Sequence, residues 1–223
     1  MLLSENCGNE MKMKKYNELF TVLDKMRSLP ASVRNMSTRE RINFFVFERV
    51  CSLELDAYFQ SAEFEKAITS AKEAEKAMAV FGSKFRNSDF GSIIIFNIAC
   101  LYIVLKKYNE AKKWLNHILE RQGESVRTDL YCFAKILYLI VNYEAGKSDL
   151  LPYAVRSVYR FLLKRNRIYS FETVILKFLK KVSQKALSEK TMEAEYRKLK
   201  AEFVLLSKDK FEKQVFEYFD FLS

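Results

Sequence analysis

The stretch IFNIACLYIVLKKYNEAKKWLNHIL, residues 95–119, decides the fold. Its first half is almost wholly apolar. Its second half follows the polar break KKYNE and places apolar residues among polar ones at helical spacing. Ala111 and Leu115 are four residues apart and therefore share one face of that second helix. The stretch predicts two helices that are joined by a tight turn.

The same pattern recurs along the chain. The string KKYNE at 106–110 also stands at 14–18, and the segments 62–74 (AEFEKAITSAKEA) and 149–162 (DLLPYAVRSVYRFL) align with both. Four residues come into register in this alignment, at spacings of 48, 44 and 43: Leu19, Ala67, Ala111 and Ala154. A small residue in three of the four copies allows paired helices to approach closely. We interpret each segment as the second helix of a helix–turn–helix repeat unit.

Helical periodicity and start and stop signals divide the chain into about ten helices. We expect them near residues 11–28, 38–60, 63–81, 89–106, 108–121, 127–145, 149–165, 171–185, 189–206 and 209–222. Ser37 with Glu40 matches a capping box, and Ser170 and Ser188 are candidate N-caps. Gly82 and Gly146 follow apolar stretches, where helices commonly end. No stretch has the sustained alternation of a β-strand, so the predicted fold class is all-α.

The repeat segments resemble tetratricopeptide repeats. In the stretch 95–119, Ala99 takes the small position and Tyr102 the aromatic position of the first helix, and Tyr108 lies at the turn. Residues 53–74 match similarly through a set of aromatic and small residues: Tyr58, Phe64, Ala67 and Ala71. The usual Trp and Gly of the first helix are missing and the period is longer, so the resemblance is to a divergent array over roughly residues 12–165.

This resemblance implies a right-handed superhelical array of antiparallel helix pairs, a tetratricopeptide-like α-solenoid. Because no linker or low-complexity segment interrupts the chain, we predict one continuous domain over 1–223, with repeat units in 12–165 and capping helices in 166–223. Two segments of the last third, 158–181 and 216–222, resemble the C-terminal part of bacterial helical-repeat proteins without an assigned function. That likeness implies a bacterial, cytoplasmic protein.

Composition narrows the classes of function. The 223 residues include only 5 Gly and 2 Pro, which argues against a loop-rich or all-β fold. Lys and Arg number 38 against 28 Asp and Glu, and this net charge of +10 favours an anionic partner. The four cysteines form no CxxC pair, and three lie in apolar runs, which is typical of buried thiols in a reducing cytoplasm. No apolar run is long enough for a signal peptide or a membrane span, so we expect no membrane partner.

The sequence offers little material for catalysis. It contains no Gly-rich phosphate loop, no HExxH, no GxSxG and no kinase motif. The single histidine, His117, follows Trp114 by three residues, so the ExxH half-motif of di-iron sites is absent. We therefore expect a non-catalytic protein with no cofactor and no metal. The enzyme alternative would require clustered, buried and unpaired Asp or Glu side chains in a pocket.

A concave partner-binding groove is the first candidate site. In tetratricopeptide folds the first helices of the pairs line this face. The resemblance places the following residues of one repeat unit there: Arg49, Ser52, Asp56, Phe59 and Gln60. The next unit contributes a largely apolar set: Ile93, Phe96, Cys100, Ile103 and Val104. The apolar set has two interpretations. Neighbouring helices cover it as core, or it forms an open slot for a partner helix or strand.

A basic stretch is the second candidate site. Residues 156–185 contain nine Lys and Arg residues against one acidic residue. Arg156, Arg160 and Lys164 are spaced four apart on one helix, and Arg167 follows. Such a cluster suits the phosphates of a nucleic acid, and interleaved tyrosines suit stacking on single-stranded bases. The alternative interpretation is a solvated outer face with cations at a helix C-terminus.

We therefore predict a protein-interaction scaffold or adaptor that binds a peptide or partner helix on its concave face. The alternatives are a nucleic-acid-binding module that uses residues 156–185, and an enzyme with carboxylate chemistry. Self-association is also expected. Arrays need capped ends, and we expect Phe20, Leu23, Met26 and the apolar run 216–222 to be only partly covered.

Overall fold

A computed structural model describes residues 2–121, 128–146, 149–165, 169–184 and 187–209, with side chains from residue 15 onward. Ten α-helices and one short 3₁₀ helix occur in these segments, and none of their residues lies in a strand. The all-α prediction is confirmed. The chain forms two compact units, residues 1–101 and residues 102–223.

The first unit contains five helices and the 3₁₀ helix. They are α1 (Leu2–Ser28), the 3₁₀ helix (Leu29–Ser32), α2 (Met36–Gln60), α3 (Phe64–Phe81), α4 (Ser83–Asn87) and the greater part of α5 (Asp89–Val104). The second unit contains α6 (Tyr108–Leu119), α7 (Thr128–Glu144), α8 (Leu151–Lys164), α9 (Ser170–Gln184) and α10 (Glu189–Leu206). Nine predicted helices correspond to these elements. The helix predicted at 209–222 lies almost entirely outside the described residues.

The caps agree with the sequence at some positions only. The candidate N-cap Ser170 is instead the first residue of α9. Ser188 is the N-cap of α10, where its Oγ accepts a hydrogen bond from the backbone N–H of Thr191 at 3.3 Å. Gly82 and Gly146 follow helices with the left-handed φ values of 53° and 71°. The capping box at Ser37 is wrong, because Asn35 caps α2 instead and its Oδ1 accepts from the Thr38 N–H at 2.9 Å. Helix α2 therefore begins before Ser37.

In the first unit, α2 packs against both α1 and α3. Leu23 of α1 is buried with Val46 and Val50 of α2, so the expectation that Leu23 is only partly covered is corrected. Phe20 and Met26 are half-buried at the edge of this cluster. Helix α3 buries a face of small residues: Ala67, Ser70, Ala71, Ala74 and Ala77.

The α2–α3 and α5–α6 turns share one hydrogen-bonding pattern. Ala62 has a left-handed φ of 57° and Lys106 one of 56°, 44 residues apart, which is also the spacing of Ala67 and Ala111. The next residue in each turn donates its N–H to a tyrosine carbonyl five residues earlier, Glu63 to Tyr58 and Lys107 to Tyr102, both at 2.8 Å. This bond belongs to the Schellman motif, which ends a helix by satisfying its last carbonyls.

In the second unit, each helix packs against the next one along the chain, and α7 also packs against α9. The core contains residues from all of the first four helices, among them Leu115, Leu137, Leu162 and Phe171. Among the described helices, none combines the length and the apolar composition that a membrane span needs.

Candidate functional site

One side of α2 presents large apolar side chains to solvent beside charged ones. We define the α2 surface as Phe45, Arg49, Leu53, Asp56 and Phe59, which recur at the spacing of one helix face. Phe45 is 54% exposed and Leu53 is 43% exposed, Asp56 is exposed, and Arg49 and Phe59 are half-buried. The structure therefore brings three predicted groove residues together on an accessible surface. Phe45 and Leu53 were not among the predicted groove residues, although their four-residue spacing from Arg49 places them on its face of the helix.

Arg49 is held between two aromatic rings. Its Cζ lies 3.5 Å from the ring centroid of Phe90 in α5 and 5.1 Å from that of Phe45. These contacts fix the plane of the guanidinium group. Arg49 has no hydrogen bond or ion pair to any described residue, and its Nε is enclosed without an acceptor. A planar donor that is fixed and unpaired is suited to bidentate pairing with a carboxylate.

The second predicted groove set lies in the core. Phe96 is 3% exposed and Ile103 is 7% exposed, and Cys100 is also buried. Ile94, Ile95 and Ile98 are fully buried too, so α5 is covered on several sides. The physical reason is that a helix with apolar residues all around its axis is stable in water only when it is enclosed. For Phe96, Cys100 and Ile103 the structure therefore favours the core interpretation over an open slot.

The predicted basic stripe lies on the exposed side of α8. Arg156, Arg160 and Lys164 are all exposed, and they line a shallow depression together with Tyr153, Ser157 and Phe161. The Tyr153 ring is 70% exposed. Arg167 lies outside the described residues. Lys177, Lys180 and Lys181 of the stretch are on α9, where Lys181 pairs with Glu195 at 2.7 Å, so the stretch does not form one undivided patch of unpaired charge.

Two further cations join this stripe through aromatic rings. Phe161 of α8 and Tyr131 of α7 have ring centroids 5.6 Å apart. Lys135 places its Nζ 4.9 Å from both centroids, and Arg165 places its Cζ 4.2 Å from that of Phe161. We define the basic surface as Lys135, Arg156, Arg160, Lys164 and Arg165. None of these five side chains forms an ion pair with a described residue.

The buried glutamates have structural partners. Glu54 accepts a hydrogen bond from Arg27 at 2.6 Å, and Glu172 accepts one from the backbone N–H of Tyr169 at 2.9 Å. Glu48 accepts from the Ser88 hydroxyl, and Glu195 pairs with two lysines. Burial raises the pKa values of Glu48 and Glu54, in Glu54 despite the opposing effect of Arg27. In the described part of the chain, no cluster of His, Cys, Asp and Glu could hold a metal ion.

The comparisons with known proteins add no relative to these geometric observations. No family model matches the chain, and no curated protein or solved structure matches it. The tetratricopeptide-like relationship therefore stays a prediction from the sequence. The candidate sites are the α2 surface and the basic surface.

Proposed function

We propose that this protein is a non-catalytic interaction scaffold that binds a peptide or a partner helix along the α2 surface. The observation that carries the proposal is the fixed, unpaired guanidinium of Arg49, which lies between the exposed side chains of Phe45 and Leu53 on the same helix face. Interface centres in proteins are enriched in aromatic residues and arginine, and these types supply most binding hot spots.

The packing of α2 supports this proposal. The opposite side of the helix is fixed by α1 and α3, with Val46, Val50 and Leu55 buried. A surface on a rigid helix loses little conformational entropy when a partner binds. In the proposed array of antiparallel helix pairs, α2 is the first helix of its pair and faces the concave side. The matching turns at Ala62 and Lys106 are consistent with that array.

Cysteine chemistry supports a cytoplasmic location as part of the same proposal. Cys51, Cys100 and Cys132 are buried, and none of them forms a disulfide with a described residue. Burial raises the pKa of Cys51 to about 12, so its reactive thiolate form is scarce near neutral pH. Such thiols need no oxidising compartment.

The test compares partner capture by three forms of the full chain. The first is the wild-type protein, the second carries Phe45→Glu with Leu53→Glu, and the third is a control with Val80→Glu on the exposed side of α3. Each is immobilised and incubated with a nuclease-treated cell extract. The captured proteins are identified by mass spectrometry, and the affinity of the purified partner is measured by calorimetry.

We expect wild type and the Val80→Glu control to bind the same partner. The double variant should weaken that binding by at least about 2 kcal/mol, or roughly 25-fold in Kd, as loss of a hot spot does. The melting temperatures of all three proteins should be similar because the altered side chains are exposed. Equal affinity of the partner for the double variant and the control would overturn the proposal.

A further inference from the structure

The positive charge of this protein is concentrated in its second unit. Residues 1–101 contain 14 Lys and Arg against 13 Asp and Glu, whereas residues 102–223 contain 24 against 15. A charge excess confined to one unit creates a local positive potential that attracts anions. On the basic surface of α7 and α8, five cations that form no ion pair with a described residue come together.

The basic surface combines a regular row with two fixed cations. Arg156, Arg160 and Lys164 follow one another at four-residue steps, which corresponds to about 6 Å along a helix. Arg165 and Lys135 are held against the Phe161 and Tyr131 rings beside this row. Like charges at this spacing destabilise an isolated helix. An anionic ligand would relieve that repulsion.

We propose that the basic surface binds single-stranded nucleic acid, an activity distinct from partner binding on the α2 surface. The arginines and lysines contact backbone phosphates, where guanidinium groups bind in bidentate fashion. The exposed ring of Tyr153, in the same depression as Arg156 and Arg160, stacks on a base. Stacking requires an unpaired base, which selects single strands over a duplex.

The composition of the depression favours nucleic acid over a protein ligand. Three of its six described lining residues are cations, Arg156, Arg160 and Lys164, whereas the centre of a protein interface is depleted of charged residues. Helix α8 itself contains no acidic residue, and Asp149, the nearest acidic residue before it in sequence, forms no ion pair with a cation of the basic surface.

The first experiment measures the affinity of the full chain for a fluorescent single-stranded oligonucleotide at several salt concentrations. Each phosphate contact on a single strand contributes about −0.7 to the slope of the logarithm of the binding constant against the logarithm of salt concentration. Five contacts therefore predict a slope of about −3.5. Replacing Arg156, Arg160 and Lys164 together by Glu, which reverses their charge, should abolish oligonucleotide binding. The matched control reverses three exposed cations of the first unit, Arg41, Lys72 and Lys76, and should retain almost full affinity.

The second experiment separates nucleic acid from acidic protein as the ligand. Tyr153→Ala should weaken oligonucleotide binding about 5- to 100-fold without changing the salt slope, whereas Tyr196→Ala on the exposed side of α10 should leave it unchanged. Poly-glutamate should compete poorly. The proposal is wrong if no salt-dependent affinity is found. It is also wrong if the control triple variant loses as much oligonucleotide affinity as the variant changed at Arg156, Arg160 and Lys164. A third contrary result is that poly-glutamate competes as well as an unlabelled oligonucleotide does and Tyr153→Ala has no effect.

Discussion

At the scale of single residues, Glu48 shows how a buried carboxyl group orders the start of a helix. It lies in α2, and its carboxylate accepts a hydrogen bond from the Ser88 hydroxyl directly before α5. The Ser88 Oγ also accepts from the Gly91 N–H at 2.8 Å, as an N-cap does. Burial raises the pKa of Glu48, although Ser88 and Gly91 lower it through hydrogen bonds. Glu48 is therefore a titratable link between α2 and α5.

This shift predicts a pH-dependent effect of Glu48→Gln. A carboxyl whose pKa is raised by folding stabilises the protein fully below its unfolded pKa near 4.5, and this contribution is lost as the pH rises through the folded pKa. Glutamine does not titrate. The free energy of unfolding of the variant, minus that of wild type, should therefore increase between about pH 4 and pH 7 in urea titrations. Glu75→Gln, at an exposed carboxyl on α3, is the matched control for the loss of one carboxylate. A flat or falling difference for Glu48→Gln would contradict the assignment.

At the scale of helices, small residues determine how closely neighbouring elements approach. Ala67 of α3 and Ala111 of α6 are buried, with 1% and 0% of their surface exposed, at equivalent places after the two matching turns. Ala154, the fourth aligned residue, is only half-buried. Alanine thus occupies a fully enclosed position after each of the two matching turns, where a larger side chain would have no room.

We predict that Ala67→Leu and Ala111→Leu each lower the free energy of unfolding by about 1–3 kcal/mol through overpacking. The control is Ala79→Leu on the exposed side of α3. Because alanine and leucine differ little in helix propensity, the control should change stability by only a few tenths of a kcal/mol. Chemical denaturation would measure all three. If Ala67→Leu and Ala111→Leu both unfold at the same denaturant concentration as the wild-type protein, the predicted repeat register is wrong.

At the scale of the whole molecule, the net charge is unevenly distributed between the two units. It belongs almost entirely to residues 102–223. Helices α1 and α10 also expose large apolar side chains, Val22 on α1 and Val204 and Leu205 on α10. In the predicted repeat array, helices at the ends would need a polar outer face for solubility. Neither α1 nor α10 has a fully polar exposed side.

This distribution predicts self-association through an end of the chain. Sedimentation experiments should show a mass that rises with concentration. Val204→Lys with Leu205→Lys should shift the protein toward monomer if the α10 end is used. Val80→Lys, at a more exposed position on α3, should have no effect. A wild-type mass that stays monomeric at all concentrations would disprove the prediction.

The sequence by itself determined the features that depend on local spacing. Nine helices, the Ser188 cap, the left-handed glycines and the enclosed positions of Ala67 and Ala111 follow from periodicity and from residues near in the chain. The five-residue α4 was not predicted, because it is too short to show a period. Asn35 and Ser37 are both good caps, and only the path of the backbone selects between them.

Tertiary structure decided which surfaces are open. An all-round apolar helix such as α5 carries no signal for which side is covered, so the burial of Phe96 and Ile103 follows only from packing. The pairing of Arg49 with Phe90, and of Lys135 with Phe161, joins residues 41 and 26 positions apart. Cation–ring contacts of this kind depend on the distances between helices. The packing of core side chains sets those distances, and the cation and the ring themselves do not.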